Sequence, residues 1–148
     1  MNVSIPGAYF DAASAQDALD FADCMVLTKC TPSERPERWR RMQYQTMLLG
    51  NLYGWKRADG TRLIRRVYFS VGRKNAKTQL AALIGLIELM GAQTARPEIY
   101  VAAKNADQSA ICYEAAREMV EANGELRGVI EPVPYRKTLL NRSTGGLS

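Results

Sequence analysis

The chain has 148 residues, 47% of them apolar, and a formal charge of +5. That length holds one domain or part of one, with enough apolar side chains for a core. It contains no histidine, which excludes Ser-His-Asp and Cys-His catalysis, His-Glu-x-x-His zinc sites and imidazole pH switching.

The cysteines are Cys24, Cys30 and Cys112. Their odd number, wide spacing and lack of a Cys-x-x-Cys pair argue against a disulfide framework or zinc ribbon. They fit a reducing cytosol, so a cytoplasmic location is expected. No basic region followed by an apolar run opens the chain, so no secretory signal is read there. The longest apolar stretch, Leu80 to Met90, contains Glu88 and is too short to span a bilayer, so no membrane partner is expected.

Residues 1–14 are rich in Pro, Gly, Ala and Ser and read as an irregular lead-in. Ser14 is the expected cap of a first helix running to about Leu27, with Asp17 in its first turn. The segment 31–36 (Thr-Pro-Ser-Glu-Arg-Pro) reads as a loop. A second helix is predicted from about Glu37 to Leu52, with Met42, Gln45, Leu49 and Leu52 on one side and Gly54 ending it. Asp59-Gly60 marks a turn. Leu63 to Val71, rich in Val, Ile, Tyr and Phe, reads as a buried strand, whose alternation puts Arg65 and Arg66 on opposite faces.

Lys77 to Met90 reads as a helix, with Leu80, Leu83, Ile84 and Ile87 as its apolar stripe. Glu98 to Ala103 reads as a second strand. Asn105 caps a third helix to about Asn123, with Gln108 at the capping-box position and Cys112, Ala115, Ala116 and Met119 as its buried side. Gly124 and Gly128 bracket its exit. Val129–Val133 and Arg136–Asn141 read as short strands around Pro134. Strand, helix, strand, helix predicts an α/β fold with a parallel sheet and right-handed crossovers. The expected division is a helical lead-in over 1–36 and a main domain over 37–148.

Between the first strand and its helix lies Val71-Gly72-Arg73-Lys74-Asn75-Ala76-Lys77-Thr78. Strand, basic loop, Lys-Thr, helix is the order in which a P-loop presents backbone N–H groups, one ammonium and one hydroxyl to a nucleotide triphosphate. The usual loop has Gly, four residues, Gly, then Lys and Ser/Thr. Val71 and Ala76 stand at the two glycine positions, while Lys77 and Thr78 are kept. A Cβ at either position obstructs conformations and close approaches that glycine permits. The plainer reading is a strand-to-helix turn with solvated cations. Ligands of open α/β sheets bind at the carboxyl ends of strands, where this loop sits.

Charge is uneven. Arg35 to Lys77 holds twelve cations against Glu37 and Asp59, and the remainder holds eight cations and thirteen acids. A polyanionic partner is favoured: nucleotide phosphates, nucleic acid, or both. The residues alone leave three readings open. These are a nucleotide-binding ATPase, a basic nucleic-acid-binding module without a nucleotide site, and another P-loop motor of helicase type.

Three segments in order resemble one family. They are Gln45-Thr46-Met47-Leu48-Leu49-Gly50-Asn51-Leu52-Tyr53-Gly54-Trp55-Lys56 with Asp59-Gly60-Thr61-Arg62 behind it, then Val71 to Thr78, then Ile99-Tyr100-Val101-Ala102-Ala103-Lys104 with Gln108. Together they are similar to the N-terminal ATPase region of the large terminase subunit of tailed bacteriophages, the motor that packages DNA into the prohead. The resemblance runs from about Arg41 to Ser148.

The resemblance implies a P-loop NTPase-like three-layer parallel sheet, with ATP and Mg²⁺ as cofactors. It places Gln45 at the adenine-reading glutamine. Arg73 falls on the arginine that stabilises charge on the transferred phosphoryl group, and Lys77 on the phosphate lysine. Thr78 falls on the metal-ligating hydroxyl. Gly72, Lys74, Asn75 and Ala76 complete the loop around the nucleotide. Implied partners are double-stranded DNA, the small terminase subunit and the portal. Tyr44 and Trp55 could stack on a base or belong to the core. Lys74 and Lys104 read as solvated or DNA-facing, and Gln108 as a helix cap. No apolar strand ending in Asp-Glu follows Thr78, and Glu131 precedes a proline. The chain is therefore expected to be cut before the family's second acidic motif. It is expected to bind nucleotide without turning it over and to self-associate through uncovered strand edges.

Overall fold

The computed structural model describes residues 5–27, 35–72, 75–91 and 97–143. In chain order the elements are β1 (Tyr9–Phe10), α1 (Ala12–Asp23), β2 (Val26–Leu27), β3 (Glu37–Arg38), α2 (Gln43–Gly54) and β4 (Trp55–Lys56). Then come α3 (Lys77–Gly91), α4 (Ala106–Ala122), α5 (Gly124–Val129), β5 (Ile130–Val133) and β6 (Thr138–Asn141). The chain divides into two compact units. One is drawn from Met1–Asp23 and Arg40–Val71, the other from Cys24–Trp39 and Gly72–Ser148.

The first unit is built on α1 against α2. Ala15, Ala18 and Ala22 recur at helical spacing and are buried, so the two backbones approach closely over a small-residue face. Leu49 and Leu52 are the buried apolar side chains of α2. The first helix starts earlier than predicted. Asp11, not Ser14, is its cap: one carboxylate oxygen accepts from the Ser14 N–H at 3.1 Å and the other from the Ser14 hydroxyl at 2.7 Å. Aspartate outcompetes serine here because it offers two acceptors to one orphan turn. Beyond Asp23, Val26–Leu27 leave the predicted helix to pair with Glu37–Arg38. That pairing also removes the predicted first turns of α2, which begins at Gln43.

Gly54 does end α2, and the residues after it pair back. Tyr9 faces Lys56 and Phe10 faces Trp55 in an antiparallel ladder, with the Phe10 and Trp55 rings edge to face at 5.5 Å. The Asp59-Gly60 turn forms as expected. Gly60 has φ +79°, and an Asp59 carboxylate oxygen accepts from both the N–H and hydroxyl of Thr61 at 2.9 and 2.7 Å.

The second unit centres on α3, which is buried on more than its predicted stripe: Leu80, Leu83 and Ile87, but also Ala82, Leu86 and Leu89. Ile84 is half-buried. On α4 the buried side is Cys112, Tyr113, Ala116, Met119 and Val120, while Ala115 is half-buried. Asn105 caps α4 as predicted, accepting from the Gln108 N–H at 2.9 Å. Gly124 and Gly128 do not bracket an exit. They lie inside α5, which forms because the Asn123 side chain accepts from both the Glu125 and Leu126 N–H groups. The predicted pair of strands around Pro134 is the β5–β6 hairpin, in register from Ile130 opposite Asn141 to Val133 opposite Thr138. The Asn141 side chain ties it to α3 by donating to the Leu89 carbonyl at 2.9 Å.

The predicted parallel sheet is not seen among the described residues. All three of their sheets are two-stranded and antiparallel. The segments read as strands, Leu63 to Val71 and Glu98 to Ala103, join no ladder. Arg65, Arg66, Val67 and Tyr68 are exposed in succession rather than alternating, and Glu98 to Ala103 are exposed throughout. A parallel strand takes its hydrogen bonds and both covered faces from neighbours distant in sequence. Apolar composition in the segment itself supplies neither.

Candidate phosphate-binding site

The loop after Gly72 opens α3 within the second unit. The Ala76 carbonyl accepts from the Leu80 N–H at 2.9 Å, so Ala76 is the last residue outside the helix and Lys77 and Thr78 are its first two positions. The N–H groups of a first helical turn lack intrahelical acceptors, and the helix dipole adds positive potential there. Lys77 is exposed and Thr78 half-buried, while Leu80 anchors the turn in the core. A polyanion at this end would meet amide N–H groups, one ammonium and one hydroxyl.

Ala76 has φ +49°, in the left-handed region that glycine takes freely and alanine takes at a cost. Among the described residues the other non-glycine with positive φ is Lys137, in the β5–β6 hairpin. The position where the loop pattern expects glycine thus has the backbone that glycine suits. Just before it, the Asn75 side chain donates to the Gly72 carbonyl at 3.2 Å. A Cβ on Gly72 would lie 3.3 Å from that nitrogen. Gly72 and Asn75 are thus joined by a side-chain bond, and Ala76, Lys77 and Thr78 follow at the start of α3. Arg73 and Lys74 lie outside the described residues.

A cavity of about 300 Å³ opens beside Thr78 and Gln79, between the first turn of α3 and the Asp107, Glu114 and Met119 side of α4, with Leu27 of β2 at its edge. The sequence reading did not foresee it. Its only trace there is the helical recurrence of Asp107, Glu114 and Glu118. Glu114 is paired with Arg117 at 2.8 Å. No group of three or more metal-ligating side chains occurs among the described residues.

Gln45 stands in the first unit and is 1% exposed. Its side-chain oxygen accepts from the Met42 N–H at 3.0 Å, closing the first turn of α2, and its nitrogen donates to the Tyr44 hydroxyl at 3.2 Å. Tyr44 stacks on Phe69 with ring centroids 5.8 Å apart. The Trp55 indole N–H donates to Asn51 at 3.0 Å. The two aromatics considered for base stacking thus serve packing within their own unit. Lys104 is exposed, and Gln108 is engaged through its backbone at the α4 cap.

A family model described as "Terminase large subunit, ATPase domain" matches residues 43–138. The chain belongs to this terminase family. The matched span begins with α2, includes the loop, α3, α4 and α5, and ends in the β5–β6 hairpin. Among solved structures, "Crystal structure of the HK97 bacteriophage large terminase" is similar at 24% identity with a TM-score of 0.69, over 88% of this chain and 25% of that one. The likeness shows a shared fold, and the chain spans about a quarter of that terminase's length. No curated protein matches the chain. No helix among the described residues of this terminase chain is long and apolar enough to cross a membrane.

Proposed function

We propose that this chain is a nucleotide-binding part of an ATP-driven motor that packages double-stranded DNA into proheads. The observation that carries the reading is the left-handed backbone of Ala76, immediately before Lys77 and Thr78 at the start of α3. The family match spans that loop. The donor set fits a nucleotide triphosphate with its metal. Backbone N–H groups at Gly72, Asn75 and Ala76 would line the phosphates, Lys77 would hold them with its ammonium, and Thr78 would offer its hydroxyl to Mg²⁺. When bound, Mg²⁺ neutralises charge on the phosphate oxygens.

Arg73 is the residue proposed to stabilise charge that develops on the transferred phosphoryl group, a role that can be worth roughly 10³–10⁵ in rate. Lys74 completes the basic loop. Gln45 is proposed to read the adenine, and to do so it would exchange its bond to the Met42 N–H for one to the base. Residues 37–148 are then the N-terminal part of the ATPase domain. Leu63 to Val71 and Glu98 to Ala103 are strand positions of a three-layer parallel sheet in that domain. The complete protein would work in the cytoplasm of the bacterial host, with the small terminase subunit and the portal as partners. Self-association of this chain is expected wherever those strand positions stay uncovered.

A second reading, a basic nucleic-acid module without a nucleotide site, is favoured by one observation: Arg65 and Arg66 are both exposed. Titrating ATP with Mg²⁺ into the 148-residue chain and into Lys77→Ala separates the two. Binding lost in Lys77→Ala supports the nucleotide site. Indistinguishable titrations of the two proteins would sink it in favour of the second reading.

A further inference from the structure

We infer that Asn75 is a positioning residue that stands in for the glycine missing at position 76. The inference rests on the nucleotide-binding reading of this loop. Alanine resists the left-handed conformation because its Cβ crowds the following carbonyl oxygen, yet Ala76 holds φ +49°. Something local must select that conformation. The Asn75 side chain, one residue before Ala76, donates to the Gly72 carbonyl at 3.2 Å. A side chain bonded to nearby backbone restricts the local chain; here the amide donates to the carbonyl three residues back.

Gly72 leaves room for this bond: an added Cβ there would lie 3.3 Å from the Asn75 nitrogen, and the amide would have to give by a few tenths of an ångström. On the far side, the Ala76 carbonyl is committed to the Leu80 N–H at 2.9 Å. Ala76 is thus pinned between a side-chain clasp and the start of a helix whose Leu80 is buried. A P-loop with glycine at this position needs no clasp, because glycine adopts positive φ without cost. Here Asn75 works through Ala76 to aim the N–H groups of α3 at the phosphates, rather than by touching the nucleotide with its side chain.

The test is a double-mutant cycle on the full chain: wild type, Asn75→Ala, Ala76→Gly and the double variant. Each is measured by thermal unfolding and by titration with ATP and Mg²⁺. Loss of one such hydrogen bond corresponds to roughly a 3- to 10-fold change in an equilibrium constant. Asn75→Ala should therefore weaken nucleotide binding about 3- to 10-fold in the native background. In the Ala76→Gly background it should change binding less than about twofold. The melting temperatures should show the same coupling. A ligand role for Asn75 predicts instead the same loss of affinity in both backgrounds, and that result would overturn the positioning role. If the wild type binds no nucleotide, the nucleotide reading fails while the melting cycle still decides the clasp. Additive melting shifts would overturn it.

Discussion

Arg41 and Asp23 form a two-point ion pair, with the guanidinium donating to both carboxylate oxygens at 2.6 and 2.7 Å. The pair ties the last residue of α1 to the approach to α2. Its side chains are 18% and 48% exposed, so water screens part of the attraction.

Arg41→Ala should lower the stability of the first unit by about 0.5–1 kcal/mol, the range of partly exposed pairs. Arg41→Lys should lose most of the same amount, since an ammonium cannot make the paired contact. The pair also sets a pH dependence. Hydrogen bonds from Arg41 hold the Asp23 carboxyl below its ordinary value of 3.8, with partial burial opposing them. A depressed carboxylate contributes stability that is present above the unfolded pKa and lost as pH falls through the folded one. Denaturant melts between pH 3 and 6 should show an acid loss that is shallower in Arg41→Ala. Parallel acid limbs in the two proteins would contradict this account.

Gly54 is the second point of tension. A Cβ there would come within 2.4 and 2.6 Å of two Phe10 ring carbons and 3.1 Å of the Ala15 Cβ. The glycine lets the ring of β1 lie on the end of α2, where the Asp11 N–H reaches the Gly54 carbonyl at 2.7 Å. Gly54→Ala should destabilise by about 1–3 kcal/mol, the usual cost of overpacking. Adding Phe10→Ala should remove most of that increment by vacating the space. A melting temperature unchanged in Gly54→Ala would show that the ring moves aside freely.

The basic surface makes a third prediction. Arg65 and Arg66 are exposed, whereas Arg117 is held by Glu114 and Glu121 on its own helix. If the exposed pair tracks DNA phosphates, changing both to Gln should flatten the log–log salt dependence of DNA binding by roughly 2. Arg117→Gln should leave that slope unchanged. Equal slopes for wild type and the Arg65/Arg66 variant would remove these residues from the DNA-binding surface.

The features legible in the amino-acid order are local. The Asp59-Gly60 turn, the Asn105 cap, the helical stripe of α3 and the hairpin around Pro134 each carry their signal within a few residues. So did the requirement for glycine-like backbone at position 76, because the loop pattern names that position before any coordinate does. The pairing of Tyr9–Phe10 with Trp55–Lys56 and of Val26–Leu27 with Glu37–Arg38 came from packing in three dimensions. Two-residue strands have no period to read, and their partners are chosen by what packs beneath them. The second of these pairings overrode helical propensity at the end of the first predicted helix and the start of the second. Gln45 is buried with Leu49 and Leu52 on the side of α2 that helical spacing names. The apolar composition of Leu63 to Val71 and Glu98 to Ala103 names strand propensity but not a ladder, because the hydrogen bonds of a strand belong half to its neighbour.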